Sequence, residues 1–303
     1  MIGVRHVAGG IVTGRFTDHH VHLQLVDHRL LAGSRLGRVV DLGAEPGWVR
    51  EVAVHNSGDL HAARAEMTVS GLDTGQPPEL WPPIVEYAGA FLTAPGGYPS
   101  DRAWAPAGSV REVTDAADAA AAVSALAAFG ASCIKAVLHS EAGPVLDDDV
   151  FGAIVEAAAA HDLPVVVHAE GVGQAQRAAR LGADLLAHAP FSERLSDDEV
   201  AEQAASVQWI STLVIHDDVQ RDIAIDNVRR FAAAGGTVLY GTDMGNGAGP
   251  VDLRTDELDA LREAGIDGMR LLEALAPSGP EALFLPDGDP VAARPLTPAD
   301  LEA

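Results

Sequence analysis

Short apolar, β-branched runs recur along the chain, separated by longer alanine-rich stretches with helical spacing. That is the pattern of successive parallel βα units. Eight runs read as strands: Val12–Asp18, Arg38–Leu42, Ile84–Phe91, Ser132–Leu138, Pro164–His168, Leu185–His188, Gln208–Val214 and Thr237–Gly241. Asp115–Phe129, Asp147–His161, Ser196–Ser206 and Asp217–Ala234 read as helices between them. Ser196 and Glu199 have the S-x-x-E spacing of a capping box. Gly130, Gly182 and Gly235 each end a helical stretch and lead into a strand, as C-caps do. Eight such units favour a closed (β/α)8 TIM barrel over an open doubly wound sheet. No G-x-G-x-x-G follows a strand, which weakens a dinucleotide-binding fold further. Thr74–Pro83 and Thr93–Gly108 read as irregular loops. The second lies at the C-terminal end of the third strand, where barrel enzymes place substrate contacts. The expected organisation is a short N-terminal segment over 1–14, a barrel over 15–285 and a tail over 286–303.

Length and composition fit that picture. A chain of 303 residues, 48% apolar, suits one large barrel core. The formal charge is −24, from 44 acidic against 20 basic residues. Such a field repels phosphate backbones, so nucleic acid is not an expected partner. No apolar run is long enough for a membrane span. Met1–Gly14 lacks the features of a signal peptide, and the single Cys133 allows no internal disulfide, so a reducing cytoplasm is the expected compartment. A small-molecule substrate is expected, and a homo-oligomer is left open.

Candidate chemistry gathers at the strand ends. The first strand runs into Asp18-His19-His20-Val21-His22. Residues two apart on a strand share a face, so His20 and His22 project the same way and can grip one metal. Lys135 interrupts an otherwise apolar fourth strand; His168, His188 and Asp243 close the fifth, sixth and eighth. Singly, each has a plain reading: a satisfied core histidine, a lysine reaching outward, an aspartate capping a helix. Together they are hard to dismiss, because ionisable groups in a core are costly unless paired or metal-bound.

In these residues the chain resembles the amidohydrolase superfamily, and within it the imidazolonepropionase-like and prolidase-like branch. The matching pieces, from about Gly14 to Leu285, are T-D-H-H-V-H-L (17–23), A-G-A-F-L-T-A-P-G-G (88–97), G-A-S-C-I-K (130–135), P-V-V-V-H-A-E-G (164–171), G-A-D-L-L-A-H (182–188), S-T-L (211–213) and G-T-D-M-G (241–245). The resemblance implies a metal-dependent hydrolase with two divalent ions. His20, His22 and Asp243 would hold one and His168 and His188 the other, with a carboxylated Lys135 bridging them. A bridging hydroxide would be the nucleophile and Asp243 the proton carrier. The bond cleaved would be an amide, cyclic amide or peptide-like C–N bond. Most members frame the barrel with a small β-sandwich from both termini; here it is expected to be vestigial or absent.

Zinc suits the imidazole and carboxylate ligands best, with manganese, iron, cobalt and nickel as alternatives. Tyr98, Arg102, Trp104, His139, Glu170 and His216 are weaker candidates for substrate contact, because they sit in or beside loops that follow strands. His6, His28, His55, His61 and His161 read as surface or helix-end residues, and Cys133 as a packing residue. Two other activities remain open on the same fold: a one-metal deaminase of a heterocycle, and a lactone or ester hydrolase.

Overall fold

The computed structural model describes residues 3–70 and 81–302. Its strands are β1 (Val4–Val7), β2 (Gly10–Val21), β3 (Leu36–Asp41), β4 (Ile84–Tyr87), β5 (Phe91–Thr93), β6 (Val110–Glu112) and β7 (Ile134–His139). There follow β8 (Val165–Glu170), β9 (Leu185–Leu186), β10 (Gln208–Ile210), β11 (Val238–Leu239), β12 (Ser278–Pro286) and β13 (Arg294–Pro295). The helices are α1 (Pro46–Ser70), α2 (Ala116–Phe129), α3 (Asp148–Ala160), α4 (Gln174–Arg180), α5 (Asp197–Ser206), α6 (Asp218–Ala233), α7 (Thr255–Glu263), α8 (Met269–Ala274) and α9 (Ala299–Glu302).

The fold is mixed α/β. Seven strands form a parallel sheet in the order β11-β10-β9-β8-β7-β5-β6. A second sheet runs β13-β12-β2-β3-β4, with β1 also on β2. β2 belongs to two environments: its first half pairs antiparallel with β1 and β12, its second half parallel with β3. The two sheets meet through the backbone. His19 N donates to Tyr240 O at 3.0 Å and His22 N to Met244 O at 2.7 Å, and Val21 forms a parallel bridge with Met244. At the other edge Ser132 N donates to Tyr87 O at 2.8 Å.

The caps follow from the sequence. Asp115, Asp147 and Asp217 accept from the backbone N–H three residues on and open α2, α3 and α6. Ser196 and Glu199 form the expected reciprocal box at α5. Gly130 ends α2 at φ 92°, a left-handed conformation that a Cβ would penalise. The helices cover a continuous apolar core, while a smaller cluster joins Leu42, Ala88, Cys133, Val166, Ala187 and Ile210. His168 lies two residues beyond Val166 on β8, and Lys135 two beyond Cys133, which directly precedes β7, so the polar site is layered on this apolar floor.

Several expected boundaries shift. The third strand is not continuous over Ile84–Phe91: Gly89 at φ 76° breaks it, and β5 departs to pair with β7 and β6. The seventh stops at Ile210, because Thr212 is left-handed at φ 44° and Leu213–Ile215 form a 3-10 turn. The eighth narrows to Val238–Leu239. The junctions expected at 14/15 and 285/286 fall inside β2 and at the end of β12. The Thr74–Pro83 loop lies largely outside the described residues. Among those described, no helix is long and apolar enough to cross a membrane.

Candidate metal centre

β2 carries His20 and His22 on one face, and both are buried. His20 Nδ1 lies 2.8 Å from Ala187 O, and His22 Nδ1 lies 3.3 Å from Gly43 O. A carbonyl only accepts, so each ring places a proton on Nδ1 and turns Nε2 to the interior. The two Nε2 atoms are 3.3 Å apart. Asp243 Oδ1 lies 3.2 Å from the first and 3.1 Å from the second. Three electron-pair donors thus converge on one buried point, with ligand atoms all within 4.8 Å of one another. Asp243 is set there by a left-handed backbone at φ 51°, and Asn246 Nδ2 holds its other oxygen at 2.8 Å.

A second donor pair sits beside the first. His168 Nε2 is 3.0 Å from Glu170 Oε2, which fixes the proton on Nε2 and frees Nδ1. That Nδ1 faces His188 Nε2 at 3.0 Å. His188 Nδ1 lies 2.9 Å from Thr212 Oγ1; with the hydroxyl accepting, Nε2 is free as well. With His188 protonated on Nδ1, both facing nitrogens are open to a cation set against them. Lys135 is 1% exposed, and among the described residues its Nζ has no hydrogen-bond partner.

The electrostatics agree. Burial drives the pKa of His20 and His188 well below the ordinary value, so both rings are neutral at pH 7. Burial opposes the charged form of His22 too, but Asp243 and Asp41 outweigh it and hold its pKa above the ordinary value. Asp243 is likewise penalised by burial, yet His20, His22 and His188 keep it well below the usual carboxylate range. Burial lowers Lys135 to about 7, far below an exposed lysine. A buried amine that is neutral near pH 7 is a nucleophile, able to bond carbon dioxide and release a proton. The set of donors fits divalent metal: imidazoles, one carboxylate and a lysine amine convertible to an anion.

All six expected ligand residues line one cavity of about 330 Å³. Tyr98, Trp104, Glu170 and His216 also line it. Arg102 and His139 are not in its wall. Arg102 lies over the Tyr98 ring at 5.4 Å and 3.3 Å from Asp101, while His139 Nε2 backs Glu170 Oε2 at 3.2 Å. Glu170 serves two imidazoles rather than standing free, and His168 and His139 pull its pKa down against burial.

Sequence reasoning passed over Asp18, Thr212, Phe91 and Phe191. Asp18 shares the period of two with His20 and His22, a signal that was present. Phe91 and Phe191 carried none, since either reads as ordinary core. The Phe91 ring lines the cavity and packs against Gly43, where any Cβ would collide with it.

No protein-family model matches the chain, and no curated protein matches it either. Solved structures do. A Xaa-Pro dipeptidase with bound methionine aligns at TM-score 0.62 and 17% identity, over 87% of this chain and 73% of its own. An ochratoxinase from A. niger aligns at TM-score 0.65 and 17% identity, over 90% and 73%. A structure described as an amidohydrolase aligns at TM-score 0.65 and 17% identity, over 92% and 80%. The chain therefore shares the fold of amidohydrolase-type proteins, a Xaa-Pro dipeptidase among them.

Proposed function

We propose that the chain is a metal-dependent hydrolase of the amidohydrolase superfamily that cleaves an amide, cyclic amide or peptide-like C–N bond. The observation that carries the reading is the convergence of four imidazole rings, Asp243 Oδ1 and the Lys135 amine on adjoining buried points of one cavity. In this reading the two sheets close as a (β/α)8 barrel through the backbone bonds between Tyr240 and His19 and between Ser132 and Tyr87. The shared fold with a Xaa-Pro dipeptidase and an ochratoxinase supports it.

His20, His22 and Asp243 would hold one divalent ion, His168 and His188 a second, with Lys135 as a carbamate between them. Zinc is the favoured occupant. Bound there, the ions would polarise the scissile carbonyl and lower the pKa of the attacking water. Asp243, kept ionised by its imidazole neighbours, would serve as the proton carrier between the attacking water and the leaving nitrogen. Glu170 holds His168 in the ring orientation that presents Nδ1. Lys135 forms an N–C bond to carbon dioxide as its neutral amine and loses a proton, which turns an isolated buried amine into an anionic ligand. Glu170 is bound to two imidazoles, which argues against its use as the shuttle of a one-metal deaminase. The substrate would be a small molecule rather than nucleic acid, and the lone buried cysteine suits the cytoplasm.

Elemental analysis of protein purified with bicarbonate and zinc tests the centre, with about two ions per chain expected. A stoichiometry fixed at one under those conditions would remove the bridged pair. Turnover of acylated amino acids, dipeptides, lactams, lactones and aminated heterocycles then separates amide hydrolysis from lactonase and deaminase activity.

A further inference from the structure

A strained residue stands next to one of the candidate ligands. Among the described residues, Asp162, Thr212, Asp243, Ala276 and Asp287 have a positive φ without being glycine. Thr212 is the β-branched member of that set, the side-chain type for which the left-handed region is a true outlier. Its φ is 44° and its ψ 40°. Such a conformation persists only where the surroundings hold it. Thr212 N donates to Gly241 O at 3.1 Å. Glu257, fully buried on α7, accepts from Leu213 N at 2.9 Å through one oxygen and from Val214 N at 3.1 Å through the other.

A glycine would occupy this turn without strain. What glycine lacks is the hydroxyl, and Thr212 Oγ1 lies 2.9 Å from His188 Nδ1. The other three imidazoles face groups that only accept. His20 and His22 turn Nδ1 to backbone carbonyls, and His168 turns Nε2 to the Glu170 carboxylate. His188 faces a hydroxyl, which can accept or donate. With the hydroxyl donating, the His188 proton sits on Nε2, 3.0 Å from His168 Nδ1, and an N–H···N hydrogen bond closes the position a cation would take. With the hydroxyl accepting, Nε2 offers a lone pair. The direction of one O–H therefore decides whether His188 can be a ligand.

We propose that Thr212 is a positioning residue: its strained turn aims the hydroxyl so that it accepts the Nδ1 proton of His188 and leaves Nε2 open to the second ion. The inference rests on the reading of this cavity as a two-metal centre, and gives a reason for a β-branched residue in a glycine-like conformation at 212.

Three substitutions separate the hydroxyl from the backbone. Thr212→Ser keeps the hydroxyl, Thr212→Val keeps the shape without it, and Thr212→Gly keeps the turn, relieved of strain, without it. Zinc affinity is read by competition with a fluorescent chelator in bicarbonate, and a urea midpoint for each metal-free variant establishes that it folds. Thr212→Val and Thr212→Gly should each bind one zinc equivalent about 10–100-fold more weakly than wild type, the usual loss for an orienting partner, while Thr212→Ser keeps wild-type affinity. A residue that only shapes the turn would predict otherwise, because glycine takes the left-handed conformation freely. Wild-type zinc affinity in the folded Gly variant overturns the inference, and so does a loss in Thr212→Ser as large as in Thr212→Val. Wild-type protein that takes up no zinc removes the metal-centre reading itself, and the inference with it.

Discussion

The hydroxyl of Thr242 donates a 2.6 Å hydrogen bond to Asp18 Oδ2, joining the segment that carries Asp243 to the strand that carries His20 and His22. Asp18 Oδ1 accepts from Thr242 N at 3.1 Å and from His20 N at 3.0 Å. One fully buried carboxylate thus sets the spacing of two ligand-bearing segments from opposite ends of the chain.

Burial pushes the Asp18 pKa up from 3.8 to about 7, against the pull of these hydrogen bonds. A raised folded pKa means that the folded state keeps a proton the unfolded chain has lost. Stability from this group is therefore full below about 4 and declines as pH rises through about 7. Asp18→Asn can keep all three contacts, with Nδ2 donating to the Thr242 hydroxyl. The metal-free variant should therefore gain on wild type as pH rises from about 4 to about 7, in urea midpoints. Asp18→Ala strands buried donors and should cost about 1–3 kcal/mol. Equal damage from both substitutions would show that the charge itself is required.

Lys135 has the opposite sign. Its folded pKa of about 7 lies below 10.5, so between those values the unfolded chain holds a proton that the folded one lacks. Metal-free wild type should gain stability with rising pH across that window, by up to about 1.4 kcal/mol per pH unit. Lys135→Met should flatten this slope, fold normally and retain little metal. A variant with wild-type metal content and turnover would make Lys135 a packing residue.

Glu170→Gln removes the fixed acceptor that holds the His168 proton on Nε2. Metal affinity should fall about 10–100-fold, the usual cost of losing such an orienting partner, while the melting temperature of metal-free protein changes little. Competition with a fluorescent chelator measures this. A shift in KM alone, at unchanged metal affinity, would move Glu170 from ligand orientation to substrate contact.

Asp243→Asn keeps an oxygen for a metal but cannot carry a proton. Turnover should fall about 10²–10⁴-fold with KM little changed, and by less for substrates with good leaving groups. A variant that loses affinity and keeps its turnover would require a different proton carrier.

The candidate ligand residues were legible because their signal is local. A strand alternates its faces whatever surrounds it, so His20 and His22 could be paired from the sequence, and Lys135 stood out in an apolar run. The helix caps were local for the same reason: Ser196 reaches a backbone N–H only three residues away. Other features depend on groups distant in sequence. The antiparallel partners of β2 come from residues 278–286, and the left-handed Thr212 is contacted by His188. The spacing of two did not show that Glu170 faces imidazoles rather than substrate, nor that Arg102 lies outside the cavity. Nor could the sequence tell that Phe91 and Phe191 line a cavity rather than fill the core, which depends on what packs against their other faces. The sequence by itself determined which groups are available as ligands. Only the tertiary structure decided their protonation, because desolvation and fixed hydrogen-bond acceptors are properties of surroundings assembled from many strands.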